Sequence, residues 1–196
     1  MIKAILFDFY GVIGRDWFWQ WVSENVEDLT SERRDFLQGL SDTLDQGLIS
    51  NKTFIEEVSK YTGLPKIQAN SQVIEITKID PEVLCLISEL KKANYKIGLV
   101  TNADYEFLQE TMDINNLWPY FDAITISSLV RFIKPGPEIF EIALNKFSVT
   151  ANEVLFIDDR PRNVAGAEKL GISGIVFTSV PQLRNDLVKH GISLQH

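Results

Sequence analysis

Four places in this 196-residue chain put side chains able to do chemistry at the ends of apolar segments or at the start of a helix. Asp8 closes the run Ile2-Lys3-Ala4-Ile5-Leu6-Phe7 and is followed by Phe9, Tyr10 and Gly11. Thr101 and Asn102 close a second apolar run over residues 95–100, and the pair Asp158-Asp159 closes a third over 153–157. Between them, Lys134 precedes Pro135-Gly136-Pro137. A strand-end carboxylate with a glycine three residues on can serve as a nucleophile or a metal ligand, because the backbone can turn closely there. Taken singly, each has a purely structural reading: a turn cap for Asp8 and the Asp pair, a helix cap for Thr101, a solvated side chain for Lys134. As an ordered set of Asp, Thr, Lys and paired Asp, three of the four at strand ends, they read as a site.

The elements that must position these groups follow from the hydrophobic pattern. A short run such as residues 2–7, with no charge in its second half, suits the centre of a parallel sheet covered on both faces. From residue 95 onward, strands at 95–100, 123–126, 154–157 and 174–177 alternate with helices at 105–117, 137–147 and 161–170. Such alternation implies an α/β fold with a doubly wound parallel sheet, in which ligands bind beyond the carboxyl ends of the strands. Asp80-Pro81-Glu82 is a helix start, with Asp as cap and Pro in the first turn. Residues 15–78 read as helical with no parallel strand. Trp17, Phe18, Trp21, Val22, Asn25 and Val26 fall at helical spacing, Thr30-Ser31 opens a second helix, Ser50 or Asn51 a third that stops near Gly63, and a fourth runs over about 67–76.

The motifs FDFYGVI (7–13), LVTNA (99–103), KPGPEIF (134–140) and LFIDDRPRNVAGAEKLGI (155–172) resemble those of the haloacid dehalogenase-like hydrolase superfamily, most of whose members are phosphatases. The resemblance covers nearly the whole chain. It implies a Rossmann-like catalytic core over residues 1–14 and 79–196, with a small all-helical cap at 15–78 inserted after the first strand. It also places the first and fourth strands side by side, so that Asp8 and Asp158-Asp159 meet where strand order reverses. Carboxylates gathered there raise one another's pKa unless a cation joins them, and Mg²⁺ suits such hard oxygen ligands. By the family pattern, the metal would take Asp8, the main-chain carbonyl of Tyr10, Asp159, and Asp158 directly or through water. Asp8 would attack phosphorus. Lys134, the Thr101 hydroxyl and main-chain N–H groups around Phe9, Tyr10 and Gly11 would neutralise the phosphate, and Asn102 would orient the substrate or a cap residue. Arg160 and Arg162 flank the paired aspartates, where they either tune the acidic site or, the reading favoured here, form a solvated helix start. The turn at Gln46-Gly47-Leu48 is the one that touches substrate in related caps, while the cluster Trp17, Phe18, Trp19 and Trp21 reads as cap core with a ring or two lining the pocket.

Tyr10 departs from the phosphatase pattern, which has a second Asp there as general acid and base. A phenol with a pKa near 10 is a poor base at neutral pH. That leaves three readings. The first is a phosphatase for a small phosphorylated metabolite with a stable leaving group, such as an acyl or anomeric phosphate, or one whose water another group activates. The second is a 2-haloacid dehalogenase, since that branch carries Tyr at this position, although Val12 stands where it has Thr and Asp158-Asp159 stand where it has Ser- and Asn-type residues. The third is a binding protein for a phosphorylated metabolite.

Composition narrows the partners. A net charge of −8 with no basic cluster argues against nucleic-acid and anionic-membrane surfaces. No apolar stretch is long enough to span a bilayer, and the N-terminal run lacks the layout of a signal peptide. The single cysteine, Cys85, cannot form an internal disulfide and sits in an apolar helical stretch, which reads as a core position in a reducing, cytoplasmic setting. His190 and His196 lie too near the C-terminus to be strong catalytic candidates.

Overall fold

A computed structural model describes residues 1–63 and 77–192. The expected helix at 67–76 and His196 lie outside the described residues. In chain order the elements are β1 (Ala4–Phe7), α1 (Trp17–Asn25), α2 (Ser31–Asp45), α3 (Asn51–Thr62), α4 (Pro81–Lys92), β2 (Lys96–Thr101), α5 (Tyr105–Ile114), β3 (Ala123–Ile126), α6 (Ser127–Val130), α7 (Pro137–Phe147), β4 (Val154–Asp158), α8 (Pro161–Glu168), β5 (Ser173–Val176) and α9 (Val180–Lys189). The five strands form one parallel sheet in the order β3-β2-β1-β4-β5. Strand order therefore reverses between β1 and β4, and both strands are buried along their whole length.

Residues of β1 alternate between two apolar layers, as the pleat of a strand requires. Ile5 and Phe7 join Leu86, Leu90 and Leu183 on one face of the sheet. Ala4 and Leu6 join Phe140, Ala143 and Phe156 on the other. Local signals set the helix ends. The Asp80 side chain accepts from the Glu82 N–H at 2.8 Å to start α4, and the Asp104 side chain caps α5 by accepting from the Phe107 N–H at 3.2 Å. Helix α5 stops at Ile114, three residues before the pattern ends, because Asn116 takes a left-handed conformation (φ 50°) that Asn tolerates well. Neither the short α6 nor α9 was evident from the hydrophobic pattern.

Helices α1 to α3 bury their own apolar cluster of Trp17, Phe18, Trp21, Val22, Leu37, Phe54 and Val58, joined from the sheet side by Phe107 of α5. The two strands of chain leading into and out of this segment pair through an isolated bridge between Gly14 and Ile79. We propose on these grounds that residues 15–78 form a cap over a core of 1–14 and 79–196. Cys85 is exposed, which corrects the expectation of a core residue: α4 turns Val83, Leu86, Ile87 and Leu90 inward and leaves position 85 on the outer face. No helix among the described residues is long and apolar enough to cross a membrane.

Gly98 in β2 packs tightly against Leu6 of β1 and Phe147 at the end of α7. A Cβ there would fall 2.5 Å from Leu6 Cδ2 and 2.8 Å from the Phe147 ring. Gly98→Ala should therefore overpack this layer and cost about 1–3 kcal/mol, a fall in Tm of roughly 2–4 °C for each kcal/mol. A thermal scan that finds the Tm unchanged would mean that α7 simply moves aside.

Candidate active site

Asp8 follows β1 and Asp158 ends β4, so the reversal point of the sheet carries both carboxylates. Lys134 joins them. Its ammonium, fully buried, lies 2.7 Å from Asp8 Oδ1 and 2.7 Å from Asp158 Oδ2. The lysine is carried there on a loop whose backbone is clamped by Asn102: the Lys134 N–H donates to Asn102 Oδ1 at 2.8 Å, and Asn102 Nδ2 donates to the Lys134 carbonyl at 3.0 Å. Asn163, in the first turn of α8, donates to Asp158 Oδ1 and Oδ2 at 3.0 and 3.1 Å, and the Arg160 N–H donates to Oδ1 at 2.8 Å. Asn163 lies within the motif of residues 155–172, and a buried amide five residues after a strand-end Asp is placed to orient it.

Asp159 completes the set. One oxygen from each of Asp8, Asp158 and Asp159 lies within 4.8 Å of the others. Gly11, in a left-handed conformation (φ 88°), passes so close to Asp159 that a Cβ would sit 2.4 Å from the carboxylate carbon. Only glycine serves there. Electrostatics follow from the crowding. Burial pushes the Asp8 carboxyl well above its ordinary range, with Lys134 opposing and Asp158 adding to the rise. Burial raises Asp159 as well, and the neighbouring Asp158 charge adds to it. Asp158 is held below its ordinary value, because the charge and hydrogen bond of Lys134 outweigh burial. Lys134 stays firmly protonated, since the two carboxylates outweigh the burial that would otherwise lower it.

One buried ammonium among three carboxylates leaves negative charge over, and Asp159 Oδ1 is buried without a hydrogen-bond partner among the described residues. Hard oxygen donors so gathered fit a divalent cation, and the cluster could hold a metal ion. Thr101 ends β2 fully buried, its hydroxyl also without a hydrogen-bond partner among the described residues. The Phe9 and Gly11 N–H groups are engaged within their own loop, with Asp8 Oδ1 and the Gly14 carbonyl, each at 2.7 Å. Neither can reach a phosphate without giving up that bond.

A narrow cleft of about 40 Å³ opens from Asp8 between the sheet and helices α1 to α3. Tyr10, Asn102 and Arg160 line it, as do Trp17 and Phe18, which serve both the cap cluster and the cleft wall. Among the described residues the Tyr10 hydroxyl is buried without a well-formed hydrogen bond, and burial, then the charges of Asp45, Asp16 and Asp104, push its pKa well above 10. Arg160 is not a solvated helix start, unlike Arg162, which is exposed: it forms a half-buried ion pair with Asp16 at 2.8 Å. The Gln46-Gly47-Leu48 turn packs on the sheet side against α6 instead, with Gly47 against the Ser128 carbonyl and Leu48 exposed. The preceding residue, Asp45, faces the cleft. No local pattern marked it, since its neighbours Asp16 and Asp104 come from distant parts of the chain.

Burial, followed by the charges of Asp16 and Asp42, raises the Asp45 pKa from 3.8 to about 8. Between those values the folded chain keeps a proton that the unfolded chain gives up, so Asp45 destabilises the fold increasingly as pH rises from about 4 to about 8. Asp45→Asn removes that burden. Its gain in Tm over the wild type should be small at pH 5 and clearly larger at pH 8; a gain that does not grow with pH would rule the raised pKa out.

Comparison with known proteins gives the same picture. The sesquiterpene phosphatase astK of Aspergillus oryzae is 24% identical over 179 residues, 90% of each chain. The (S)-2-haloacid dehalogenase 4A of Burkholderia cepacia is 26% identical over 95 residues, 48% of this chain and 41% of that one. A HAD family enzyme from Bacteroides thetaiotaomicron, solved with magnesium and inorganic phosphate, shares the fold with a TM-score of 0.72 at 23% identity, over 93% of this chain and 99% of that one. The family model for haloacid dehalogenase-like hydrolases matches residues 2–171, and the chain is a hydrolase of that family.

Proposed function

We propose that the protein is a Mg²⁺-dependent phosphomonoester hydrolase that acts on a small phosphorylated metabolite through an aspartyl-phosphate on Asp8. The observation that carries this reading is the buried group of Asp8, Asp158, Asp159 and Lys134 at the point where strand order reverses. The phosphatase relative and the magnesium and phosphate complex of the Bacteroides enzyme support it.

Asp8, Asp158, Asp159 and the Tyr10 carbonyl would hold the ion. Magnesium, when bound, neutralises carboxylate and phosphate charge and leaves coordination sites for phosphate and water. Lys134 fixes Asp8 Oδ1, together with the Phe9 N–H, so attack on phosphorus falls to the other carboxylate oxygen. That oxygen forms the new O–P bond as the ester P–O bond breaks and the leaving group departs with its electron pair. Water then attacks the phosphorus, the Asp8–phosphorus bond breaks, and phosphate leaves. The Thr101 hydroxyl, buried and without a partner among the described residues, would donate to a phosphate oxygen in both steps. The role of Asn102 is to hold Lys134 in place through its backbone.

Tyr10 cannot act as a base, because its surroundings raise an already high pKa. Loss of a general acid–base costs about 10²- to 10⁴-fold for ordinary esters, and least where the leaving group is stable as an anion. Acyl and anomeric phosphates are therefore the preferred class. A 2-haloacid would bring its own carboxylate to a cleft that already holds Asp8, Asp16, Asp45 and Asp104 against Arg160, which disfavours the dehalogenase reading.

Phosphate release from acyl, anomeric and alkyl phosphates, with and without Mg²⁺, tests the proposal. Turnover should require the ion, vanish in Asp8→Asn and be fastest for the acyl and anomeric substrates. Mg²⁺-independent turnover, or full activity of Asp8→Asn, would exclude the mechanism. Tyr10→Asp should raise alkyl phosphate hydrolysis several-fold or more, up to about 10²-fold; no rise would mean that another group activates the water.

A further inference from the structure

Phosphoryl transfer runs in line, so the leaving oxygen stands on the far side of phosphorus from Asp8, in the cleft toward α1 to α3. Tyr10 lines that space as a phenol whose raised pKa makes it a weak proton donor. Asp16, Asp45 and Asp104 line it too and supply no positive charge. Among the described residues lining the cleft, the one cationic side chain is Arg160. An oxygen that turns anionic there has a single positive group to meet.

Arg160 is held at both ends. Its main-chain N–H donates to Asp158 Oδ1 at 2.8 Å, and its carbonyl accepts from the Asn163 N–H at 2.9 Å as α8 begins. Asp158 is bound in turn to Lys134, so the Arg160 backbone is fixed relative to the carboxylates beside Asp8. At the far end, Nη2 donates to Asp16 Oδ2 at 2.8 Å, while Asp16 Oδ1 caps α1 by accepting from the Trp19 N–H at 3.2 Å. That bond uses one nitrogen of a planar fork with five N–H donors. Among the described residues the other two nitrogens have no hydrogen-bond partner. A guanidinium stays charged at every working pH, and a donor already fixed in place meets a developing anion without reorganisation.

We propose that Arg160 is a catalytic residue that stabilises the departing oxygen by charge, in place of the acid missing at position 10, with Asp16 as its positioning residue. This rests on the phosphatase reading of the site and adds to it how the leaving group is met. As Asp8 forms its bond to phosphorus, the ester P–O bond breaks and its electron pair stays on the leaving oxygen, which accepts an N–H from Arg160. The guanidinium keeps its proton. The leaving group departs as an anion, and an alkoxide then takes its proton from water. Such help counts most for a strongly basic leaving oxygen and least for the carboxylate of an acyl phosphate. Arg160 cannot take a proton, so it serves the first displacement and leaves the water of the second without a base.

Acetyl, trifluoroethyl and ethyl phosphate test it, since their leaving groups rise in basicity at similar size and suit a narrow cleft. The readout is kcat/KM, which covers the step that expels the leaving group. Arg160→Ala should cost about 10²-fold or more for the most basic leaving group that the wild type turns over, as loss of one oxyanion donor does, and no more than about threefold for acetyl phosphate. Arg160→Lys should recover part of the loss, and guanidinium ion added to Arg160→Ala should restore the slow substrates saturably. Asp16→Asn should show the same leaving-group order with a smaller factor, and Arg162→Gln, at an exposed arginine, should change none of the rates. An equal loss across the series without guanidinium rescue would reduce Arg160 to a structural ion-pair partner and overturn the proposal. So would a leaving-group-dependent loss in Asp45→Asn that Arg160→Ala lacks, which would give the task to Asp45. If Arg160→Ala does not fold, Arg160→Lys carries the same test, and a loss that does not grow with leaving-group basicity overturns the proposal. Absence of Mg²⁺-dependent turnover for every member with the wild type would remove the phosphatase reading and this proposal with it; wild-type turnover with a flat Arg160 series removes the proposal alone.

Discussion

Everything at the head of the sheet depends on one buried ammonium. Lys134 touches both Asp8 and Asp158 at 2.7 Å and is wholly removed from water. Removing one partner from such a group is far more costly than losing a surface ion pair, because the remaining charge is stranded in a medium of low dielectric. Its surroundings are built accordingly. Asn102 grips the lysine backbone from the end of β2, and Gly166 lets α8 come close to Pro135 on the other side, where a Cβ would meet the proline carbonyl at 2.6 Å. The lysine thus ties together β1, β2, β4 and α8, and the order of the strands and the position of the reactive groups are one constraint seen twice.

The sheet and its acidic centre were legible because both are written locally. Asp8, Thr101 and Asp158-Asp159 stand at the ends of short apolar runs, and parallel sheets collect strand ends on one side. Lys134 was legible through its place before Pro135-Gly136-Pro137 and the helix behind it. The cleft was not, because it is made by apposition across the chain. Asp16 and Arg160 are 144 residues apart in sequence and form one ion pair, and no window around Arg160 distinguishes that from a solvated side chain. Asp45 looks like any acid on a polar helix until the fold sets it beside Asp16 and Asp104. Cys85 shows the opposite limit: an apolar stretch of sequence still has an outer face once it is wound into α4.

Two different charge problems sit a few residues apart along the cleft. At the strand ends, three carboxylates share Lys134 and are suited to a small, hard ion. On the other side of the cleft, Asp45 ends α2 with no basic residue in the final turn and shares the cleft with Asp16 and Asp104. The two are held in register by contacts between α2 and the sheet side. The Ser127 hydroxyl donates to the Asp45 carbonyl and accepts from the Ala103 N–H at 2.9 Å, so the backbone carrying Asp45 is fastened to the loop that follows β2.

The loop after β1 has a consequence for how this enzyme could diverge. Its path is fixed by main-chain bonds: the Phe9 carbonyl accepts from the N–H groups of Val12, Ile13 and Gly14, and the Gly11 N–H closes back on Gly14. None of these involves the side chain at position 10, which points into the cleft, whereas position 11 is pinned against Asp159. Adjacent residues therefore have opposite mutational freedom. Position 10 can be exchanged to suit a new leaving group while the backbone stays where it is, and position 11 is closed to every residue but glycine. Lineages that drift in substrate should vary at the first and stay invariant at the second.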